Sequence, residues 1–288
     1  MTAERAVYSN WGRWGSDDER GAANLLGGEV VLDACRLPTK GRVYNLGIEV
    51  RQGAPVAGRR ISPVHLMASD GGDYAALGRE DWGTADDYLF LASGGTTHID
   101  GLSHLWYGGR MYNGFSFREV RSSGAARCGI EKVGGLVARG HLLDFTTFPT
   151  KRPGLIGTAD VTAYVAARGL KVQPGDALLF RTGWIETALG GTLQEASCPV
   201  VASDAVEWIA EHDIAIVGAD NPAVEAVAER GVLPPLHQIL LRDLGVYIIE
   251  LLTLAEPARD GVTTGMLVVA PLLISRGVNG PVNPLLIV

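Results

Sequence analysis

The segment Thr96-Thr97-His98-Ile99-Asp100-Gly101-Leu102-Ser103-His104 sets two of the chain's six histidines six positions apart, with a carboxylate between them. Side chains alternate along a strand, so His98 and Asp100 leave the same face if this stretch is extended. Should the backbone then turn helically, Asp100 and His104 stand one turn apart and converge. Two imidazoles and a carboxylate aimed at one point suit a divalent metal with mixed nitrogen and oxygen ligands. A metal so held polarises a carbonyl and acidifies water.

A second group of candidates lies far downstream. Glu250 interrupts the apolar run Val246-Tyr247-Ile248-Ile249-Glu250-Leu251-Leu252 and has no charged neighbour in it. An unpaired buried carboxylate is costly, so such a residue is neutralised, paired or bound to metal. The alternative is an edge strand with Glu250 in water, but apolar residues on both faces favour a central strand. His237 precedes Glu250 by thirteen residues, on a helix face shared with Leu241 and Leu244. A core histidine therefore competes with a site role, yet a helix feeding the Glu250 strand would bring the two together. His65 is a candidate pocket residue without a local partner. His141, beside Asp144, and His212, at a helix end, read as structural. Asp220 reads as a cap on the Asn221-Pro222 turn. Trp106, Tyr107, Tyr112, Phe115 and Phe117, with Trp11 and Trp14, are either pocket walls for a flat substrate or simply core.

The elements that must carry these residues are short and glycine-punctuated, in keeping with 38 glycines. Strands are expected at 43–50, 64–68, 88–92, 141–145, 177–181, 214–218, 246–252 and 266–274. Helices are expected at 160–168, at 203–211 capped by Ser203, and at 237–244. Ser16-Asp17-Asp18-Glu19 has the form of a capping box and predicts a further helix start. Strands dominate the first half and helix-strand alternation the second, which gives an α/β class with a mixed sheet core. No composition shift divides the 288 residues, so a single domain over 1–288 is expected.

Composition narrows the function classes. A net charge of −7 and scattered basic residues argue against nucleic acid as a partner. Neither a signal-peptide pattern nor an apolar run of membrane-spanning length is present, and three widely spaced cysteines fit a reducing cytoplasm. Phosphate-binding glycine turns, nucleophile elbows and His-Glu-x-x-His are absent.

The histidine segment resembles the signature of the cyclase family that includes bacterial kynurenine formamidase and isatin hydrolase, written His-x-Gly-Thr-His-x-Asp-x-x-x-His. Thr97-His98-x-Asp100-x-x-x-His104 matches it. So, in order along the chain, do Trp11-Gly12-Arg13-Trp14-Gly15, Asp18-Glu19-Arg20-Gly21-Ala22 with Asn24, Tyr112-Asn113-Gly114, Gly140-x-Leu142-Leu143-Asp144, Gly175-Asp176-x-Leu178, Gly218-x-Asp220-Asn221, and His237 followed by Glu250. The resemblance implies a swivelling β/β/α fold and a zinc- or manganese-dependent hydrolase of aromatic amides or lactams. Gly94 departs from the pattern, standing where the first histidine is usual, so one ion is expected rather than two.

The expected function is hydrolysis of a C–N bond in a small aromatic or cyclic compound, with a divalent metal, Zn or Mn, as cofactor. His98, Asp100, His104 and Glu250 are the expected ligand set, and His104, His237 and Glu250 the catalytic groups. Trp14, His65, Trp106, Tyr112 and Phe115 are the expected substrate contacts. The alternatives are a cyclase or lyase using the same Lewis acid, and a metal-free binding protein on a degenerate scaffold. A homodimer or homotetramer acting on a small molecule, without nucleic acid or membrane, completes the expectation.

Overall fold

In the computed structural model, which describes residues 8–192, 198–225 and 235–288, nine strands form one mixed sheet. In chain order they are β1 (Val43–Asn45), β2 (His98–Asp100), β3 (Leu136–Asp144), β4 (Ala177–Arg181), β5 (Ile216–Ala219), β6 (Tyr247–Glu250), β7 (Thr264–Val269), β8 (Asn279–Pro281) and β9 (Leu285–Ile287). Across the sheet the order is β1-β9-β7-β3-β4-β5-β6-β2-β8. The four central strands, β3 to β6, run parallel. Every other pairing within this sheet is antiparallel.

Central parallel strands are covered on both faces and so read as continuous apolar runs. All four residues of β5 and of β6 are buried, as are the first four of β4. Glu250 thus ends a central strand, as its apolar neighbours predict. Helices α1 (Gly28–Cys35), α2 (Thr158–Arg168) and α3 (Ala205–Glu211) complete the α/β fold, with α2 and α3 in mutual contact. Val161 and Tyr164 of α2 lie one turn apart and join Trp208 and Ile209 of α3 in the same core as Leu142, Leu179, Val217 and Ile248.

Several expected elements are shorter than the apolar pattern suggests. The strand expected at 43–50 stops at Asn45, and that at 266–274 stops at Val269, just before Pro271, which has no N–H to give a ladder. Helix α3 starts after Asp204 rather than Ser203, and no side chain caps it; the Asp204 carboxylate is drawn to Arg152 at 2.6 Å. The Ser16–Glu19 box opens no α-helix. Asp18 instead accepts from Gly21 N at 3.0 Å and Asn24 Nδ2 at 2.8 Å, starting a 3₁₀ turn over Gly21–Leu25. Glu19 turns away to Cys128 N at 2.7 Å and Arg127 at 3.0 Å.

The helix expected at 237–244 is one α-turn, Pro235–His237, running into a wider π-helical turn, Gln238–Leu244, that closes on left-handed Gly245. The N-terminal segment straps this turn, through Asn10 Nδ2 to Leu244 O at 2.8 Å and Trp11 Nε1 to Arg242 O at 2.6 Å. Between β1 and β2 a hairpin of Val64–Ser69 and Asp86–Phe90 stands exposed along nearly its whole length. Among the described residues no helix is long and apolar enough to cross a membrane.

Candidate metal centre

Strand register assembles the site. Glu250 of β6 lies opposite His98 of β2, and Asp100 lies opposite Asn279 of β8. Directly opposed residues project to one face of a sheet, and His98 and Asp100 are two apart, so all four side chains share that face. One donor atom from each of His98, Asp100 and Glu250 lies within 4.8 Å of the others, and all three residues are buried. His98 Nε2 stands 3.4 Å from both Asp100 Oδ1 and Glu250 Oε2.

The backbone around the triad is fastened from both sides. The Thr97 hydroxyl donates to Leu251 O at 2.6 Å and accepts from Ile48 N at 2.8 Å. Leu251 itself adopts φ 57°, a left-handed conformation rare for a branched side chain, which turns the chain sharply after Glu250. Gly101 passes so close to Val278 that a Cβ would sit 2.8 Å from its carbonyl oxygen.

Hydrogen bonding fixes the imidazole roles. His98 Nδ1 is 2.7 Å from the Thr96 carbonyl, which can only accept, so Nδ1 carries the proton and the Nε2 lone pair faces the carboxylates. His98 Nε2 and Asp100 Oδ2 are buried without a hydrogen-bond partner among the described residues. Electron-rich atoms crowded in this way call for a cation between them, and a nitrogen with two carboxylate oxygens is a donor set that fits a divalent metal ion. Without a metal, a proton serves. Burial opposes the charged form of His98, but Glu250 and Asp100 outweigh it and hold its pKa up. Burial likewise opposes the Asp100 carboxylate, yet the surrounding imidazoles hold it well below the usual carboxylate range.

His237 enters from the far side. Glu225 accepts from Leu236 N at 2.9 Å, His237 N at 2.8 Å and His237 Nδ1 at 2.8 Å, which points Nε2 at Glu250 Oε1, 3.2 Å away. Burial lowers its pKa, but bonds to Glu225 and Glu250 prevail and raise it to about 10.

His104 closes the ring, its Nε2 3.9 Å from Asp100 Oδ1. It follows a turn after β2 rather than a helix, with its N–H on Gly101 O at 2.9 Å. Oriented to satisfy its neighbours, the Asn279 amide donates to Asp100 Oδ1 at 3.0 Å and His104 Nδ1 at 3.1 Å. His104 therefore carries its proton on Nε2. Its side chain is 27% exposed, against 6% or less for His98, Asp100, His237 and Glu250, so it is the member of the cluster that meets solvent. Burial and nearby His237 depress its pKa, keeping the ring neutral.

A family model described as Putative cyclase matches residues 44–226, well over half of the chain. This chain belongs to the putative cyclase family. Isatin hydrolase of Roseibium aggregatum is 25% identical over 278 residues, covering 92% of this chain and 95% of that protein. A crystal structure of a novel cyclase superposes with a TM-score of 0.89 at 37% identity, covering 98% of this chain and 100% of the other. A structure described as a potential metal-dependent hydrolase with cyclase activity gives 0.55 at 23% identity, covering 85% and 98%. These relatives support a hydrolase- or cyclase-type function.

Against the cyclase-family pattern, Gly94 leaves room that other groups fill. A Cβ there would overlap the Asn279 amide and stand 3.1 Å from Arg60 Nη2. Asn279, Glu225 and Arg60 were not legible as site residues, since each lies far in sequence from the signature and carries no motif. Among the expected substrate contacts, Tyr112 is a correction. It is fully buried, with its hydroxyl on Asp18 Oδ2 at 2.9 Å, and offers no surface to a ligand. His65 is likewise not brought to the cluster, pairing instead with Asp87 at 2.7 Å on the exposed hairpin. Trp14 is half-buried beneath Arg13, Trp106 is partly exposed and stacked on Phe117, and Phe115 lies beneath Arg127. Trp11 and Tyr107 sandwich Arg242 and serve the π-turn. Asp220 is a cap, but of the turn after β4, accepting from Thr182 and Gly183 rather than from its own Asn-Pro turn.

Proposed function

We propose that this protein is a metal-dependent hydrolase that cleaves the C–N bond of a small aromatic or cyclic amide or lactam. The reading is carried by the buried convergence of His98, Asp100 and Glu250, with His98 Nε2 and Asp100 Oδ2 lacking a hydrogen-bond partner among the described residues. These three residues would hold one zinc or manganese ion, which when bound supplies Lewis acidity toward water and a carbonyl. The two carboxylates balance its charge. Space beside Gly94 is taken by Asn279 and Arg60, which supports one ion rather than two.

The remaining chemistry belongs to side chains. His237, held by Glu225 with its pKa raised, keeps a protonated Nε2 at Glu250 and is placed to give that proton to the leaving nitrogen. The Glu250 carboxylate is placed to take one from the attacking water. Neutral His104, with its proton on Nε2 and its edge in solvent, is placed to donate a hydrogen bond to the substrate carbonyl. Trp106 and Phe115 are the exposed or half-buried aromatics proposed to hold the ring. The Roseibium relative is an isatin hydrolase, and isatin is an aromatic lactam, which supports this substrate class. A small-molecule substrate and a cytoplasmic setting remain part of the proposal.

The test is to load the protein with zinc or manganese and screen N-formyl anilines, isatins and cyclic imides by mass spectrometry. A ring-opened product heavier by one water, or an aniline with formate from an N-formyl aniline, establishes hydrolysis. The relative described as a novel cyclase favours one second reading, ring closure or dehydration. A product of unchanged mass, or lighter by one water, would replace hydrolysis by that reading. Retention of less than about a tenth of an equivalent of metal would favour a binding protein instead.

A further inference from the structure

One cation beside the centre has no counter-charge among the described residues. Arg60 is half-buried, makes a single hydrogen bond, Nη1 to Ala57 O at 3.2 Å, and joins no ion pair among the described residues. Its guanidinium lies over Gly94, with Nη2 3.1 Å and Cζ 3.2 Å from where a side chain on that residue would begin. It is also close enough to His104 to press on the ring electrostatically. The loop that carries it is pinned to the signature segment, Ala57 N donating to Gly95 O at 2.9 Å. The guanidinium is thus held over Gly94, beside the Asn279 amide that reaches Asp100 and His104, in space that exists because residue 94 is glycine.

A guanidinium presents a planar fork of donors that matches a carboxylate, and a partly desolvated one gains most from such a partner. Asp100 and Glu250 are committed to the inner face of the centre, and a divalent ion there would cancel their charge. Arg60 then leaves the rim net positive. We propose that Arg60 anchors a carboxylate on the substrate, so that the site takes small aromatic amides or lactams that carry an acid group. The proposal rests on the hydrolase reading for its amide, but the carboxylate recognition itself is open to a binding measurement.

Calorimetric titration of the metal-loaded protein with benzoate, and with benzamide as its neutral counterpart, tests this directly. Arg60→Gln is expected to weaken benzoate roughly tenfold to a hundredfold, the usual range for loss of a charged hydrogen-bonded pair, and to leave benzamide unchanged. Arg60→Lys should fall between the two. Equal benzoate affinity in wild type and Arg60→Gln would overturn the proposal, as would absence of benzoate binding to the wild type. If Arg60-dependent benzoate binding is found while no amide is hydrolysed, the anchor stands and the hydrolase reading falls.

Discussion

His98 turns Nε2 to two carboxylates, because the Thr96 carbonyl has claimed its Nδ1–H. Replacing His98 or Asp100 by Ala is therefore expected to abolish metal retention and activity together while leaving the fold, as read by metal analysis and circular dichroism. Asn279 acts one step out, steadying Asp100 and His104 through its amide. Asn279→Ala is expected to cost about 10–100-fold in metal affinity, measured by competition with a chelator. His237 gives a pH prediction for the metal-free protein. Its pKa is raised from 6.5 to about 10, so its imidazolium stabilises the acidic cluster fully below 6.5 and loses that role as pH rises through about 10. Urea denaturation of chelated protein should show stability falling over that window, with a shallower fall in His237→Gln. An identical slope in the variant would rule out His237 as the source.

At the scale of elements, three strands and one wide helical turn hold the chemistry. The pairing of β2 with β6 and β8 decides which side chains meet, and a one-residue slip would send His98 and Asp100 to the opposite face. Gly101 allows the chain to leave β2 against the Val278 carbonyl. Backbone yields less readily than a side-chain tip, so Gly101→Ala is expected to cost about 1–3 kcal/mol in chemical denaturation. It should weaken metal binding as well, since Asp100 is its neighbour. Unchanged metal affinity in a destabilised Gly101→Ala protein would show that the site tolerates movement of β2.

For the whole molecule, an ion bound as proposed would tie β2 to β6 and so should tighten the sheet. Chelation is expected to lower the melting temperature, because an ion at about 100 times its dissociation constant contributes about 2.7 kcal/mol to stability. A melting curve indifferent to chelator and to added zinc or manganese would contradict a metal centre. Assembly as a homodimer or homotetramer is retained as a proposal. It is supported by the exposed apolar hairpin, where Leu66, Tyr88 and Phe90 are 59%, 69% and 65% exposed and an isolated hairpin is marginal in water. Sedimentation velocity reads the outcome, and a monomer at micromolar concentration would sink the proposal.

What the sequence determined by itself was local. Alternation put His98 and Asp100 on one face, the apolar run around Glu250 marked a central strand, and signature spacing named the family. These features depend on neighbours within a few residues, whose geometry follows from strand and turn periodicity. Element ends were less legible, as with the Ser16–Glu19 box, because Glu19 found a partner more than a hundred residues away. Only the tertiary structure decided that Glu250 faces His98, that Glu225 orients His237, that Asn279 sets the proton on His104, and that Arg60 fills the space over Gly94. Tyr112 was lost to the core for the same reason. Each depends on register and packing between segments distant in sequence, which no local pattern encodes.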